Sequence, residues 1–78
     1  MTETYDDLDR LRRVRALVAS GAARSIRAGA GLSIVECARA AGIAWRTVYR
    51  YEAAEVVPRG PAALRYLDLL DRLMGRPS

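Results

Sequence analysis

Gly42 stands between two short apolar runs of helical period, and this arrangement limits the local fold to two helices meeting at a tight turn. On its N-terminal side Ser33 precedes Glu36 by three residues, the spacing of a capping box. Val35, Cys37, Ala38 and Ala41 then bury to varying degrees. Gly42 takes a left-handed backbone at little cost and ends this helix. Ile43 is an apolar plug in the turn. A second helix is expected from about Trp45 to Ala54, with Val48 and Tyr51 facing inward. Ala38 lies four residues before Gly42, so two steeply crossing helices can approach closely there, and Ile43 and Val48 supply the wedges that set the crossing.

The flanking segments are also helical in pattern. Leu8, Leu11, Val14, Val18, Ala22 and Ile26 recur every three or four residues. The stripe stays in phase through Gly21, which predicts one long helix over 6–28. Two helices broken at Ser20–Gly21 are the alternative, since Ser20 can cap a second one. Residues 1 to 5 are expected to fray, and Asp6 and Asp7 suit the positive end of a helix. Gly29 and Gly31 end the element. Glu55 to Gly60 form a connector in which Val56 and Val57 are expected to pack, and Pro61 opens a last helix over 61–74. Leu64, Tyr66, Leu67, Leu69, Leu70, Leu73 and Met74 cover an arc of roughly 200° on it, wider than one small core needs. Either a second copy covers the excess, with Leu67, Leu70, Leu73 and Met74 as the dimer surface, or the helix is central and buried on two sides. Gly75 to Ser78 form a tail. The expected architecture is a single all-α domain over 1–78, of four or five helices with a long N-terminal one.

Composition narrows the function classes. In 78 residues there are thirteen basic side chains, all arginine, no histidine and one cysteine. Six arginines and no acid lie between Arg10 and Arg27, while acids sit at Glu3, Asp6, Asp7 and Asp9 and again at Asp68 and Asp71. Such a stretch, with a net charge of +4, points to a polyanion partner or to a solvated, arginine-covered helix. Arginine favours bidentate contact with phosphate or guanine. Cys37 lies on an apolar helix face, where packing is the expected role. No metal-ligand cluster, Cys-x-x-Cys or phosphate-binding loop occurs, and Asp68 and Asp71 on a helix flank make no acid–base pair, so no metal, cofactor, small-molecule ligand or enzymatic activity is expected. The polar, acidic start and the lack of a long apolar run predict a cytoplasmic protein without a membrane partner.

The stretch GLSIVECARAAGIAWRTVYRYE, residues 31–52, resembles the lambda-repressor-like helix-turn-helix family, which holds the phage repressors, Cro and the Xre-type regulators. Leu32, Ser33, Glu36, Ala38, Gly42, Thr47, Val48, Arg50, Tyr51 and Glu52 carry the match. Arg27 and Pro58 extend it on either side, so that it covers about residues 20 to 74. The resemblance implies a helix-turn-helix core at 33–54 and an ion pair between Arg27 and Glu52. There are departures. Ile34 stands where the family has a Gln that touches the DNA backbone, Ala44 where it has a capping Ser, and Ala54 where it often has Gly.

By family position, Trp45, Arg46 and Arg50 are expected to reach base edges in the major groove. Arginine grips guanine O6 and N7 with two hydrogen bonds. The Trp45 ring would pack on a thymine methyl or a sugar, or else fold back as a cover over the protein. Ser33, Thr47, Tyr49 and Arg59 are candidates for the phosphate backbone. Arg10, Arg12, Arg13 and Arg15 are lesser candidates. The resemblance implies a sequence-specific regulator of transcription, a Cro-like repressor of phage or mobile-element origin, acting as a homodimer on double-stranded DNA in a bacterial nucleoid. The alternative is a protein-interaction module on the same fold, an antitoxin or adaptor, supported by the wide apolar arc of the last helix. A nonspecific DNA-coating protein is a third possibility.

Overall fold

The computed structural model describes residues 4–76 and folds them into five helices: α1 (Tyr5–Ala19), α2 (Ala22–Gly29), α3 (Ile34–Ala41), α4 (Trp45–Glu52) and α5 (Gly60–Leu73). No strand occurs among the described residues, and none of these helices is long and apolar enough to cross a membrane. Of the start expected to fray, residues 1–3 lie outside the described residues. Thr4 and Tyr5 are ordered by a cap: the Thr4 hydroxyl accepts from the Asp7 N–H at 3.0 Å, with Asp6 and Asp7 in the first turn. Of the expected tail, residues 77–78 likewise lie outside the described residues.

The single helix expected over 6–28 does not form. Gly21 takes a left-handed φ of 82°, and the Ser20 hydroxyl accepts from the Ala22 N–H at 3.2 Å, which closes the break. The apolar stripe runs through this point because its phase records which side faces the core. It does not record whether the axis is straight. Beyond the break Ala23, one position after the predicted Ala22, is the buried residue, while Leu8 at the other end is exposed.

One core, built on Leu11, Val14, Val18, Ala23, Ala38, Val48, Tyr51, Ala63, Tyr66, Leu67 and Leu70, joins all five helices. Helix α5 packs against α1, α2 and α3. That central position accounts for its wide apolar arc. Leu67 is 0% exposed and Leu70 1%, so neither belongs to a dimer surface as proposed from the sequence. Leu73 is half-buried, and Met74 reaches solvent. Asp71 is buried as well, paired with Arg13, while Arg10 pairs with Asp68 and Arg15 Nε donates to the Pro58 carbonyl at 2.8 Å. Three of the N-terminal arginines therefore fasten α1 to α5 and its approach. Val56 and Val57 do not pack inward: both are exposed, beside Arg15, Val18 and Ala19.

Helices α3 and α4 end in the same way. At the end of α3, Gly42 is left-handed and the Ile43 N–H reaches the Ala38 carbonyl at 3.0 Å. At the end of α4, Ala54 holds a φ of 55° and the Glu55 N–H reaches the Arg50 carbonyl at 2.9 Å. Both are Schellman stops, but the second forces a side chain into the left-handed region, which costs about 1–2 kcal/mol for an L-residue. Ala54→Gly relieves that strain and adds some unfolded-state entropy. The expected net gain is about 0.5–1 kcal/mol in urea unfolding. A loss of stability in the variant contradicts the strain.

Candidate nucleic-acid interface

Helix α4 is fixed at both ends and along one face. Its N-terminal end follows the three-residue turn Gly42–Ile43–Ala44 from α3, and its inward face puts Val48 at 0% exposure in the core. The Tyr51 ring rests on Tyr66 of α5 with centroids 5.0 Å apart. Burial pushes both phenols up from their ordinary range, and pushes the Cys37 thiol of α3 up as well.

The C-terminal end is held by Arg27. Its guanidinium forks onto Glu52, with Nε donating to Oε2 at 2.5 Å and Nη2 to Oε1 at 2.9 Å. The remaining Nη1 donates to the Leu32 carbonyl at 2.7 Å, just before the Ser33 cap of α3. One side chain of α2 thus ties the entrance of α3 to the exit of α4. The pair is largely sheltered, with 15% of the Arg27 side chain and 6% of the Glu52 side chain exposed. The hydrogen bond to Glu52 holds the guanidinium pKa above its already high value, against the desolvation that lowers it.

The outward face carries the remaining candidates. Trp45 and Tyr49, four residues apart, are 50% and 51% exposed. Arg46 and Arg50 form the adjacent row, also exposed. The Arg46 guanidinium lies over the Trp45 ring, 5.5 Å from its centroid. Trp45 therefore does not fold back as a cover over the core. No carboxylate of the described residues lies within 4.0 Å of either Arg46 or Arg50. Trp45, Arg46, Tyr49, Arg50 and Glu55 line one open groove of about 490 Å³. Tyr49 also borders a second groove, with Arg24, Arg27, Ile34, Glu52 and Ala53.

Ser33 is exposed at the start of α3. Its hydroxyl accepts from the Glu36 N–H at 3.0 Å, and its own N–H donates to Glu36 Oε1 at 2.9 Å. Hydrogen bonding to the carboxylate, from the Ser33 backbone N–H foremost and then from the Ser33 side chain, holds Glu36 below its usual range. Thr47 is half-buried, and Arg59 is exposed beside the first turn of α5. Ile34 is partly buried against the core, where a Gln would instead present an amide. Ala44 offers no side-chain acceptor to the first N–H groups of α4.

Arg24 and Glu55 border these grooves, and neither stands out in the sequence as a site residue. Arg24 is hidden among six arginines of one run, and Glu55 looks like ordinary connector. Among the described residues no three His, Cys, Asp or Glu side chains come together as metal ligands. Comparison with family models, curated proteins and solved structures returned no match.

The Arg27–Glu52 fork has a measurable consequence. Arg27→Ala leaves a sheltered carboxylate and a carbonyl without their donor, an expected loss of roughly 2–4 kcal/mol. Arg24→Ala, on an exposed side chain, is expected within about 0.5 kcal/mol of the parent. Thermal unfolding of the two variants side by side measures this, and equal shifts contradict the fork's role.

Proposed function

We propose that this chain is a sequence-specific binder of duplex DNA of the helix-turn-helix type, in which α3 and α4 form the motif and α4 enters the major groove. The observation that carries this is the pair Arg46 and Arg50: exposed, one turn apart on a helix locked from behind, and without a carboxylate partner among the described residues. An α-helix with its side chains is about 10–12 Å across, which suits a major groove about 12 Å wide. Each guanidinium is free to meet guanine O6 and N7. Trp45, at the leading end, offers an apolar ring to a thymine methyl or a sugar. Ser33, Thr47, Tyr49 and Arg59 supply hydroxyls and a charge for phosphate, and Arg24 joins them beside Tyr49.

The positions of Arg27, Glu52, Gly42 and Val48 support the lambda-repressor-like reading, and the proposal extends it to a Cro-like repressor of phage or mobile-element origin acting in the nucleoid. Recognition as a twofold pair is part of the proposal. Two half-sites one helical turn apart place recognition helices about 34 Å from one another, and the longest extent of this domain is 35 Å. Its two shorter extents, 26 and 23 Å, leave room for two copies at that spacing. The protein-interaction alternative drew on the apolar arc of α5, most of which is spent inside the fold.

Selection of bound duplexes from a random pool tests the proposal. A guanine-containing site should emerge, and affinity for it should fall steeply with salt as phosphate contacts release counterions. Arg46→Ala and Arg50→Ala should each relax preference at one base pair, by about 1–3 kcal/mol. Retardation without enrichment identifies a nonspecific coating protein, and no retardation at low salt contradicts DNA binding altogether.

A further inference from the structure

The groove along the outward face of α4 is bordered by one side chain of the wrong sign for a DNA surface. Glu55 lines the same groove as Trp45, Arg46, Tyr49 and Arg50. It is brought there by the helix stop: Ala54 turns left-handed and the Glu55 N–H hooks back onto the Arg50 carbonyl. Only its main chain takes part in that stop, and the side chain is exposed. The other two carboxylates between Gly21 and Gly60 are already engaged, Glu36 by Ser33 and Glu52 by Arg27. Glu55 is within 4.0 Å of no arginine of the described residues, yet it faces two that are themselves unneutralised.

We propose that Glu55 is a discrimination residue: its carboxylate competes with DNA phosphate for Arg46 and Arg50, and so weakens binding to arbitrary duplex more than binding to the preferred site. The inference rests on the DNA-binding function proposed above. Its physical basis is the unequal make-up of the two complexes. Binding to arbitrary duplex is carried almost wholly by phosphate contacts. A negative charge beside the arginines both repels the phosphates and offers the guanidinium groups another partner. In the preferred complex the same arginines turn to guanine edges, where two directed hydrogen bonds outweigh the exposed carboxylate. Glu55 thus acts by raising the cost of wrong sequences, not by adding a contact to the right one.

The test compares the full chain with Glu55→Gln and Glu55→Lys on two labelled duplexes, the one selected by the parent protein and a scrambled duplex of the same length and composition. Glu55→Gln should bind the scrambled duplex about twofold to fivefold tighter at low salt, the range of one exposed charge interaction. Its salt slope there should steepen toward one additional phosphate contact, a change of about 0.9. Affinity for the selected duplex should change less, so the ratio between the two falls. Glu55→Lys should lower the ratio further, and the differences should shrink as salt shortens the screening length. In an Arg46→Gln, Arg50→Gln background the effect of Glu55→Gln should vanish. Equal tightening on both duplexes, no change on either, or a larger loss on the selected duplex than on the scrambled one overturns the role of Glu55 alone. Failure of the parent protein to bind any duplex overturns both this inference and the function it rests on.

Discussion

The fork of Arg27 onto Glu52, with its third bond to the Leu32 carbonyl, is the interaction on which the geometry of the α4 face depends. Three separate segments converge on one guanidinium: the last turn of α2, the residue before the α3 cap, and the final residue of α4. Gly42 fixes where α4 begins. Arg27 fixes where it ends, and so sets its direction against the rest of the fold. Val48 and the Tyr51–Tyr66 contact then fix its rotation, because they decide which face is turned to the core. A sheltered ion pair of this kind is not a large net source of stability, since desolvating both ions opposes their attraction. Its value is that one guanidinium satisfies the Glu52 carboxylate and the Leu32 carbonyl together, which ties the three segments to one another.

Arginine does two different kinds of work in this chain, and its partners distinguish them. On one side Arg10, Arg13 and Arg15 meet Asp68, Asp71 and the Pro58 carbonyl, which fastens α1 to α5 and uses up acids that would otherwise neutralise the surface. On the other side Arg46 and Arg50 meet no carboxylate of the described residues within salt-bridge distance, and their positive charge is left for a partner. Two positive charges are thereby kept on one exposed helix face, with the acidic side chain of Glu55 in the same groove. Arg24, Arg39, Arg59, Arg65 and Arg72 are likewise exposed and within 4.0 Å of no carboxylate of the described residues, so what singles out Arg46 and Arg50 is their place on the outward face of α4.

Local chemistry was the part most legible in the sequence. The Ser33–Glu36 box, the stop at Gly42 and Pro61 in the first turn of α5 depend on groups a few residues away, so spacing reveals them, and helical period reveals the inward placement of Val48 and Tyr51. Periodicity did not reveal the break at Gly21, because a change of axis leaves the phase of a stripe intact. Nor did it reveal the work of Asp68 and Asp71, whose arginine partners are each 58 residues distant. The arc on α5 suggested an external partner for Leu67 and Leu70 because a helix packed by several neighbours and a helix with a binding face share one pattern. At the α4 face the arginines were legible as residue types, but the groove that adds Glu55 and the one that adds Arg24 exist only once the chain has folded.

Backbone amide NMR of the labelled chain, titrated with duplex DNA at low salt, tests the central claim most directly, since it asks which surface meets the nucleic acid. Shifts should concentrate on Ala44 to Arg50 at the exposed face of α4, with smaller ones at Ser33, Arg24 and Arg59, while the Arg10–Asp68 and Arg13–Asp71 side between α1 and α5 stays unmoved. Shifts centred on α1 and α5 with α4 silent contradict the account.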